Sequence, residues 1–286
     1  MTSVLTEQRL DESAINELTF SSRKTPDSMH YRMVICANCD LAYANPAPDI
    51  GWLRKNYIKA SYETAEESNL AAANHSRLLD RVLHNLPDRD GALDIGTGDG
   101  AFLKELLNRG FTNVEGVEPS INPIQEASDE VNKLITPAFF EGDNYESNSF
   151  SVVTCFQVLE HVDQIDNLVK SVFRLLKPGG YFLTVGHDHR AWTARLLGQR
   201  SPIFDIEHLQ LLSRTSFRHM YNKHNFQKFK VASMTNSYPL NYWVKLSPLP
   251  KSARRSMSIV LKSLKLNSLR VPLRAGNLWA LGVKPN

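Results

Sequence analysis

The stretch Leu93-Asp94-Ile95-Gly96-Thr97-Gly98-Asp99-Gly100, followed at once by Ala101-Phe102-Leu103-Lys104-Glu105-Leu106-Leu107, decides the fold. Its opening residues read as the end of a strand, the glycines as a tight turn, and the apolar spacing after Gly100 as an amphipathic helix. Glycine lacks a Cβ, takes positive φ without strain and lets a ligand lie against bare backbone. The amides that open the following helix then face that ligand, so such a turn in an α/β sheet is a nucleotide cradle.

Working outward, G-x-G-x-G alone also suits dinucleotide enzymes, and the next strand narrows the choice. Asn113-Val114-Glu115-Gly116-Val117-Glu118-Pro119-Ser120 reads as a short apolar strand ending in Glu118. A carboxylate there accepts hydrogen bonds from two ribose hydroxyls, which suits an unphosphorylated ribose. Phe150 to Val162, an amphipathic helix near 164–176, and Leu176-Lys177-Pro178-Gly179-Gly180-Tyr181-Phe182-Leu183-Thr184-Val185 then spell strand, helix, Pro-Gly-Gly turn and strand.

The blocks LDIGTGDG, GVEPS, VLEHV and LLKPGG resemble, in order and spacing, the class I methyltransferases that use S-adenosylmethionine. The likeness is specific over roughly residues 75–235. Outside that span it is looser, to a bacterial subgroup often associated with modifying glycans or small metabolites. The resemblance implies a Rossmann-like, seven-stranded α/β sheet with helices on both faces. It also implies a cofactor site in which Asp94 anchors the glycine turn and Gly96, Thr97, Gly98 and Gly100 lie against the methionine moiety. Glu118 and Pro119 would hold the ribose, Asp143 and Asn144 the adenine, and Gln157, Val158 and Leu159 would border the methyl donor. Ser151 departs from the family, which commonly has Asp beside the aromatic residue, at a position that is usually structural.

Plainer readings stand beside these. A glycine turn can be tight packing alone, and His161 and Glu160, at a strand end, suit a structural role as well as a catalytic one. Three cysteines argue against a disulfide framework. Cys155 sits in a buried strand. Cys36 and Cys39, in Tyr31–Tyr43, look like half of a zinc ribbon without its earlier Cys-x-x-Cys. A tetrahedral zinc needs four ligands and His30 or His75 are only speculative extras, so no metal is assigned and a metal-free hairpin remnant is expected.

At 286 residues the chain exceeds one ordinary domain, and a core with flanking elements is expected. The division is 1–74, an N-terminal hairpin and helical lid; 75–235, the cofactor-binding core; and 236–286, a basic amphipathic insertion with the last strand of the core. After Asn45-Pro46-Ala47-Pro48, a helical segment from about Ile50 carries Trp52, Tyr57 and Tyr62, which either cover the cofactor or simply pack. No window approaches 18 uninterrupted apolar residues, and the acidic start (Glu7, Asp11, Glu12, Glu17) lacks a signal-sequence pattern; a soluble, cytoplasmic protein is expected.

Charge is strongly uneven. From His208 to Asn286 there is no Asp or Glu against fourteen Lys and Arg, so residues 1–207 hold 19 basic against 30 acidic residues, a net of −11 hidden in a total of +3. Such asymmetry concentrates anionic partners. A phosphorylated or nucleotide-linked sugar, a lipid-linked intermediate at an anionic membrane, or RNA would each supply the charge, and a solvated face is the plain alternative. In 251–265, Met257, Val260, Leu261 and Leu264 recur at helical spacing largely opposite Arg254, Arg255, Lys262 and Lys265. This cationic amphipathic helix either lies on a membrane surface or packs on a core. RNA is disfavoured because no RNA-binding module accompanies the charges.

Phe226–Val231 and Ala275–Val283 read as the last two strands, an antiparallel hairpin, with about 235–272 inserted between them. Ligands of α/β sheets bind beyond the strands' carboxyl ends, so this insertion, with Ser237–Trp243, is placed to wall an acceptor site. The segments Gly186–Arg190 and Asp205–Leu209 face the same side. Methyl transfer to a hydroxyl needs alignment and a proton acceptor. His208, in a stretch resembling the family's Glu-His-Leu segment, is the first candidate base and His161 the second. The expected activity is S-adenosylmethionine-dependent methylation, of oxygen on a small or sugar-like, conceivably anionic, acceptor. The alternatives are a cofactor-binding regulatory protein without turnover and an NAD-dependent oxidoreductase.

Overall fold

The computed structural model describes residues 2–11, 13, 15, 19–20, 28–59, 65–247 and 249–286; Tyr62 lies outside them. Its strands are β1 (Thr2–Thr6), β2 (Met33–Cys36), β3 (Ala42–Ala44), β4 (Asp90–Ile95), β5 (Thr112–Val117), β6 (Ile135–Thr136), β7 (Phe150–Phe156), β8 (Leu176–His187), β9 (Gln210–Leu211), β10 (Gln227–Ser233), β11 (Asn236–Pro239), β12 (Arg270–Leu273) and β13 (Asn277–Val283). The helices are α1 (Ile50–Ile58), α2 (Ala65–Leu79), α3 (Ala101–Asn108), α4 (Ile121–Glu126), α5 (Asp129–Asn132), α6 (Ile165–Leu175), α7 (Trp192–Leu197), α8 (Arg214–Lys223), α9 (Leu240–Leu246) and α10 (Lys251–Ser263).

The central sheet has the order β10-β13-β8-β7-β4-β5-β6. β4 pairs in parallel with both β5 and β7, β7 with β8, and β13 runs antiparallel between β8 and β10. The near-continuous apolar runs of β4 and β7 are what strands covered on both faces require. One face is covered by α6 and α8. In α6, Leu168, Val169, Val172 and Leu175 recur on a single stripe and are buried with Phe217 and Tyr221 of α8. The other face takes Leu78 and Leu79 of α2 with Phe102, Leu103 and Leu106 of α3. Chain order reverses at β4, which leads outward to β5 and β6 and then back across to β7. The crevice beyond the carboxyl ends of β4 and β7 is therefore the place for a ligand.

The sequence reading of this sheet holds, including the β10/β13 hairpin and its insertion, with one local difference. Lys177–Gly180 does not precede β8 but bulges within it: pairing jumps from Phe150 opposite Leu176 to Val152 opposite Tyr181. Gly179, at φ +77°, supplies the bend. The α10 helix has no buried residue, so packing on a core is not its fate.

The N-terminal hairpin is β2 and β3, and its sheet runs β1-β2-β3-β9. β9 comes from the core: Ala42 pairs with Leu211 and Tyr43 with Gln210. Arg190, on the loop after β8, forms an ion pair with Asp40 in the hairpin's turn. In the insertion, β11 and β12 make a two-stranded ribbon whose Asn236 is opposite Leu273. Asn74 of α2 ties it to the core, accepting from the Ser237 amide at 2.9 Å.

Candidate active site

The glycine turn between β4 and α3 is shaped by three different demands. A Cβ on Gly96 would stand 2.3 Å from Val158 Cγ2, so that glycine is needed for packing. Gly98, at φ +60°, would place a Cβ with nothing within 4 Å. Its missing side chain is room, which is what close approach of a ligand to backbone requires. Gly100 is turned the other way, against Val131, and lines neither cavity described below.

Glu118, one residue past the end of β5, is buried, and its carboxylate is fixed from both sides. Gly98 N–H donates to Oε2 at 3.0 Å and Ser120 N–H to Oε1 at 2.8 Å. A carboxylate offers about four lone-pair sites, so two bonds leave capacity for two hydroxyls. Burial raises the pKa of Glu118, the backbone bonds opposing that rise. Asp94 lies beneath the turn rather than in the cavity: Thr154 donates to its Oδ1 at 2.6 Å, and burial, with the charge of Glu118 added, pushes its pKa up to about 7. The expected anchoring role therefore falls to a buried carboxyl bonded across β4 and β7.

Two adjoining cavities, each of about 440 Å³, share Gly96, Glu118, Val158, His161, Glu207 and Tyr57. The first runs from Gly96 and Glu118 past Pro119 to Phe139, Phe140 and Asp143. Apolar walls with a few polar and charged groups among them are the character of a small-ligand site. Asp143 is at its rim, fully exposed. Asn144 is exposed and does not line the cavity, and neither does Leu159, whose side chain is buried in the core below. Gln157 and Val158 do line the site, because β7 stops at Phe156 and Gln157 turns at φ +57°, its N–H bonded to Val185 O at 2.7 Å.

The second cavity continues from Thr97, Gly98 and Gln157 toward three histidines. The ring of His208 lies between those of His161 and His187, each centroid 5.0 Å away. His208 Nδ1 lies 2.7 Å from Ile203 O; donating there, it is the Nδ1–H tautomer when neutral, with the lone pair on Nε2. His161 Nδ1 makes the same kind of bond to Glu207 O at 3.1 Å, and the Glu207 carboxylate is 3.9 Å from it. The histidines are held from beneath as well: the Glu160 carboxylate, fully buried and raised in pKa by that burial, accepts the His187 amide. Glu160 thus takes the structural reading. His208 owes its position to β9, which begins two residues on.

Sequence reasoning brought together Gly96, Thr97, Gly98, Glu118, Pro119, Asp143, Gln157, Val158, His161 and His208, all of which line one or both cavities. It did not single out His187, Glu207 or Asn277. His187 occurs in the run Gly186–Arg190, and its place at the cavity shows only once the end of β8 is paired with β13, where His187 stands opposite Asn277. The insertion contributes Asn236, Tyr238, Tyr242 and Trp243 to the far wall, with Tyr238 and Tyr242 rings 4.6 Å apart. No Lys or Arg is among the described residues lining this second cavity, while Asp205 and Glu207 are. Tyr57 lines both cavities, whereas Trp52 packs edge-on against Phe20. Cys155 is fully buried and its thiol pKa is raised by burial. Among the described residues no cluster of three metal-ligating side chains occurs.

A family model described as a methyltransferase domain matches residues 64–231, more than half of the chain. The ubiquinone biosynthesis O-methyltransferases of Photorhabdus laumondii and Proteus mirabilis are 30% and 31% identical to it over 114 residues. Those alignments take in 37% of this chain and 47% and 46% of the relatives, so the chain spans about half the length of the curated relatives it matches. The crystal structure of a SAM-dependent methyltransferase from Archaeoglobus fulgidus shares the fold at a TM-score of 0.51 and 16% identity, covering 82% of this chain and all of that one.

Proposed function

The chain belongs to the methyltransferase-domain family, and from that footing we propose that it transfers the methyl group of S-adenosylmethionine to a hydroxyl of a small, sugar-like acceptor. The observation that carries the proposal is the continuity of two cavities across Glu118 and Val158, one slot for a nucleoside and one lined by three histidines. The residues fit the cofactor. Gly98 leaves an open cradle that a Cβ would fill, and Glu118 is held by two amides with lone pairs to spare for the ribose diol. Phe139 and Phe140 supply apolar walls for adenine, with Asp143 at the edge. When bound, S-adenosylmethionine supplies an electrophilic sulfonium methyl.

What the chain's own residues do follows from the geometry. Tyr238, Tyr242 and Trp243 offer aromatic faces against which an acceptor ring stacks. His208 Nε2 takes the hydroxyl proton as the oxygen attacks, a task imidazole performs near neutral pH. The Ile203 carbonyl that binds its Nδ1–H keeps the ring in the required tautomer. His161, bonded to Glu207 O and lining both cavities, is the second candidate. An acceptor whose reacting end is uncharged suits a cavity lined by Asp205 and Glu207 and by neither Lys nor Arg among its described residues. The sugar-nucleotide form of the expectation would need its phosphates outside this wall. Similarity to relatives named as O-methyltransferases supports oxygen as the methylated atom.

Calorimetric titration with S-adenosylhomocysteine, with NAD as comparison, tests the proposal. Micromolar binding of the former alone is expected. Binding of NAD instead would replace methyl transfer with the oxidoreductase reading.

A further inference from the structure

Thirteen large apolar side chains are exposed among the described residues, and eight of them fall between Leu249 and Leu273. In α10, Met257, Val260 and Leu264 just beyond its end lie on one stripe and are 43%, 53% and 60% exposed. The helix rests on the molecule through a different side, where Ala253, Arg254, Ser258 and Leu261 are half-buried and Arg254 Nη1 donates to Lys245 O at 2.9 Å. The apolar stripe is therefore left facing solvent. The following chain continues it with Leu266, Leu269 and Leu273.

A second apolar pair stands on α7, where Trp192 and Leu196 are 66% and 74% exposed. α7 and the insertion border the same cavity. Thr193 and Leu197 of α7 line the histidine cavity together with Trp243 and Leu246 of α9, and a Cβ on Gly276, just after β12, would lie 3.1 Å from Thr193 Oγ1. Around the apolar residues are Lys251, Arg255, Lys262, Lys265, Arg270 and Arg274, and no acid occurs anywhere from His208 to the end of the sequence. Apolar surface of this extent on a soluble protein marks an interaction site. A helix with a bare apolar stripe beside a uniformly cationic one matches the interface of a bilayer, whose headgroup boundary takes the stripe and whose anionic lipids take the charges.

We propose that α10, the Leu266–Leu273 segment and the exposed side of α7 form a docking surface for an anionic lipid bilayer, which the chain grips without crossing. No helix among the described residues is long and apolar enough to span one. This surface is a property of the chain's outside and stands independently of methyl transfer. It also places the histidine cavity, whose wall is built from α7 and α9, next to the lipid headgroups.

The test is co-sedimentation of the full chain with vesicles of phosphatidylcholine, alone or with phosphatidylglycerol. Partitioning is expected to be at least about tenfold stronger on the anionic vesicles and to weaken steeply as salt is raised from about 0.1 M toward 1 M. Val260→Ser/Leu264→Ser and, separately, Arg255→Glu/Lys262→Glu/Lys265→Glu should each lower it at least about tenfold, with S-adenosylhomocysteine affinity and melting temperature unchanged. Equal partitioning on neutral and anionic vesicles, or wild-type partitioning by both variants, overturns the proposal. A dimer in sedimentation velocity that the Val260→Ser/Leu264→Ser variant dissociates, with no vesicle binding, would overturn it too and assign the stripe to a second copy of the chain.

Discussion

Replacing Glu118 by Ala removes a carboxylate that, like that of Glu207, lines both cavities. In the free protein it already accepts the amides of Gly98 and Ser120, so its position is set before any ligand arrives and little ordering remains to be done on binding. Two ribose hydroxyls donating to it form bonds to a charged acceptor, each contributing about 1.5–3 kcal/mol. Water entering the space left by the truncated side chain restores part of that. The net loss should be about 2–3 kcal/mol, a rise of roughly 30- to 150-fold in the dissociation constant of S-adenosylhomocysteine. Glu118→Gln keeps the shape and one acceptor oxygen but not the charge, and should fall between the two. Because burial raises the pKa of Glu118, calorimetry is best done on the alkaline side of neutrality, which favours the charged form. A dissociation constant within about threefold of wild type for Glu118→Ala, in a protein that still melts cooperatively, would refute the ribose role, since it is smaller than one hydrogen bond to a charged group is worth.

His208→Ala should lower turnover by about 10²–10⁴-fold while leaving cofactor affinity within twofold, the range a positioned general base contributes; a fully active variant would transfer the role to His161. Gly116→Ala brings a Cβ to 2.7 Å from Thr97 Cγ2 and 2.9 Å from Leu103 Cδ1, and should cost about 1–3 kcal/mol, read as a melting temperature several degrees lower. An unchanged melting temperature would mean that the turn yields. Asp94 has a folded pKa near 7 against 3.8 ordinarily, so between those values the folded protein keeps a proton that the unfolded chain has released. Stability contributed by Asp94 is therefore greatest at low pH, falls as pH rises through this window by at most about 1.4 kcal/mol per unit, and is flat above it. Asp94→Asn should remove that slope, and melting curves from pH 5 to 8 with the same slope in both proteins would rule it out.

The sheet was legible because its strands are short, apolar and separated by glycine turns with a fixed local chemistry. Gly96, Gly98 and Glu118 could be read for the same reason: each acts through backbone geometry or a strand end, and both are written locally. Asn144 and Leu159 were not separable from Asp143 and Val158 by sequence, since both pairs lie outside the strands, in a short 3-10 turn and in the turn after β7, where no regular alternation says which residue meets the cavity. His187 was obscured because its inward orientation depends on the alternation of β8 and on the contact of Glu160 with its amide, a separation of 27 residues. The charge asymmetry was plain from composition, but its placement was not: the cations of the insertion lie outside the histidine cavity, whose character is set by Asp205, Glu207 and aromatic rings.

The two-residue pairing of β3 with β9 has a consequence for how this chain can be taken apart. His208 is held at the edge of a sheet whose other three strands come from the first 44 residues. A shortened chain beginning near residue 64, where the family likeness starts, would keep the glycine turn, Glu118, Phe139 and Phe140 but lose the wall of the first cavity that Ile50, Leu53, Arg54 and Tyr57 of α1 supply. It would leave β9 as an unpaired edge and the hairpin's grip on Asp40 and Arg190 gone. Such a fragment should take up the nucleoside more weakly and be a poor catalyst. Neither half of the site is portable: the first cavity borrows a wall from α1, and the proposed base is lodged in a seam between the N-terminal hairpin and the core.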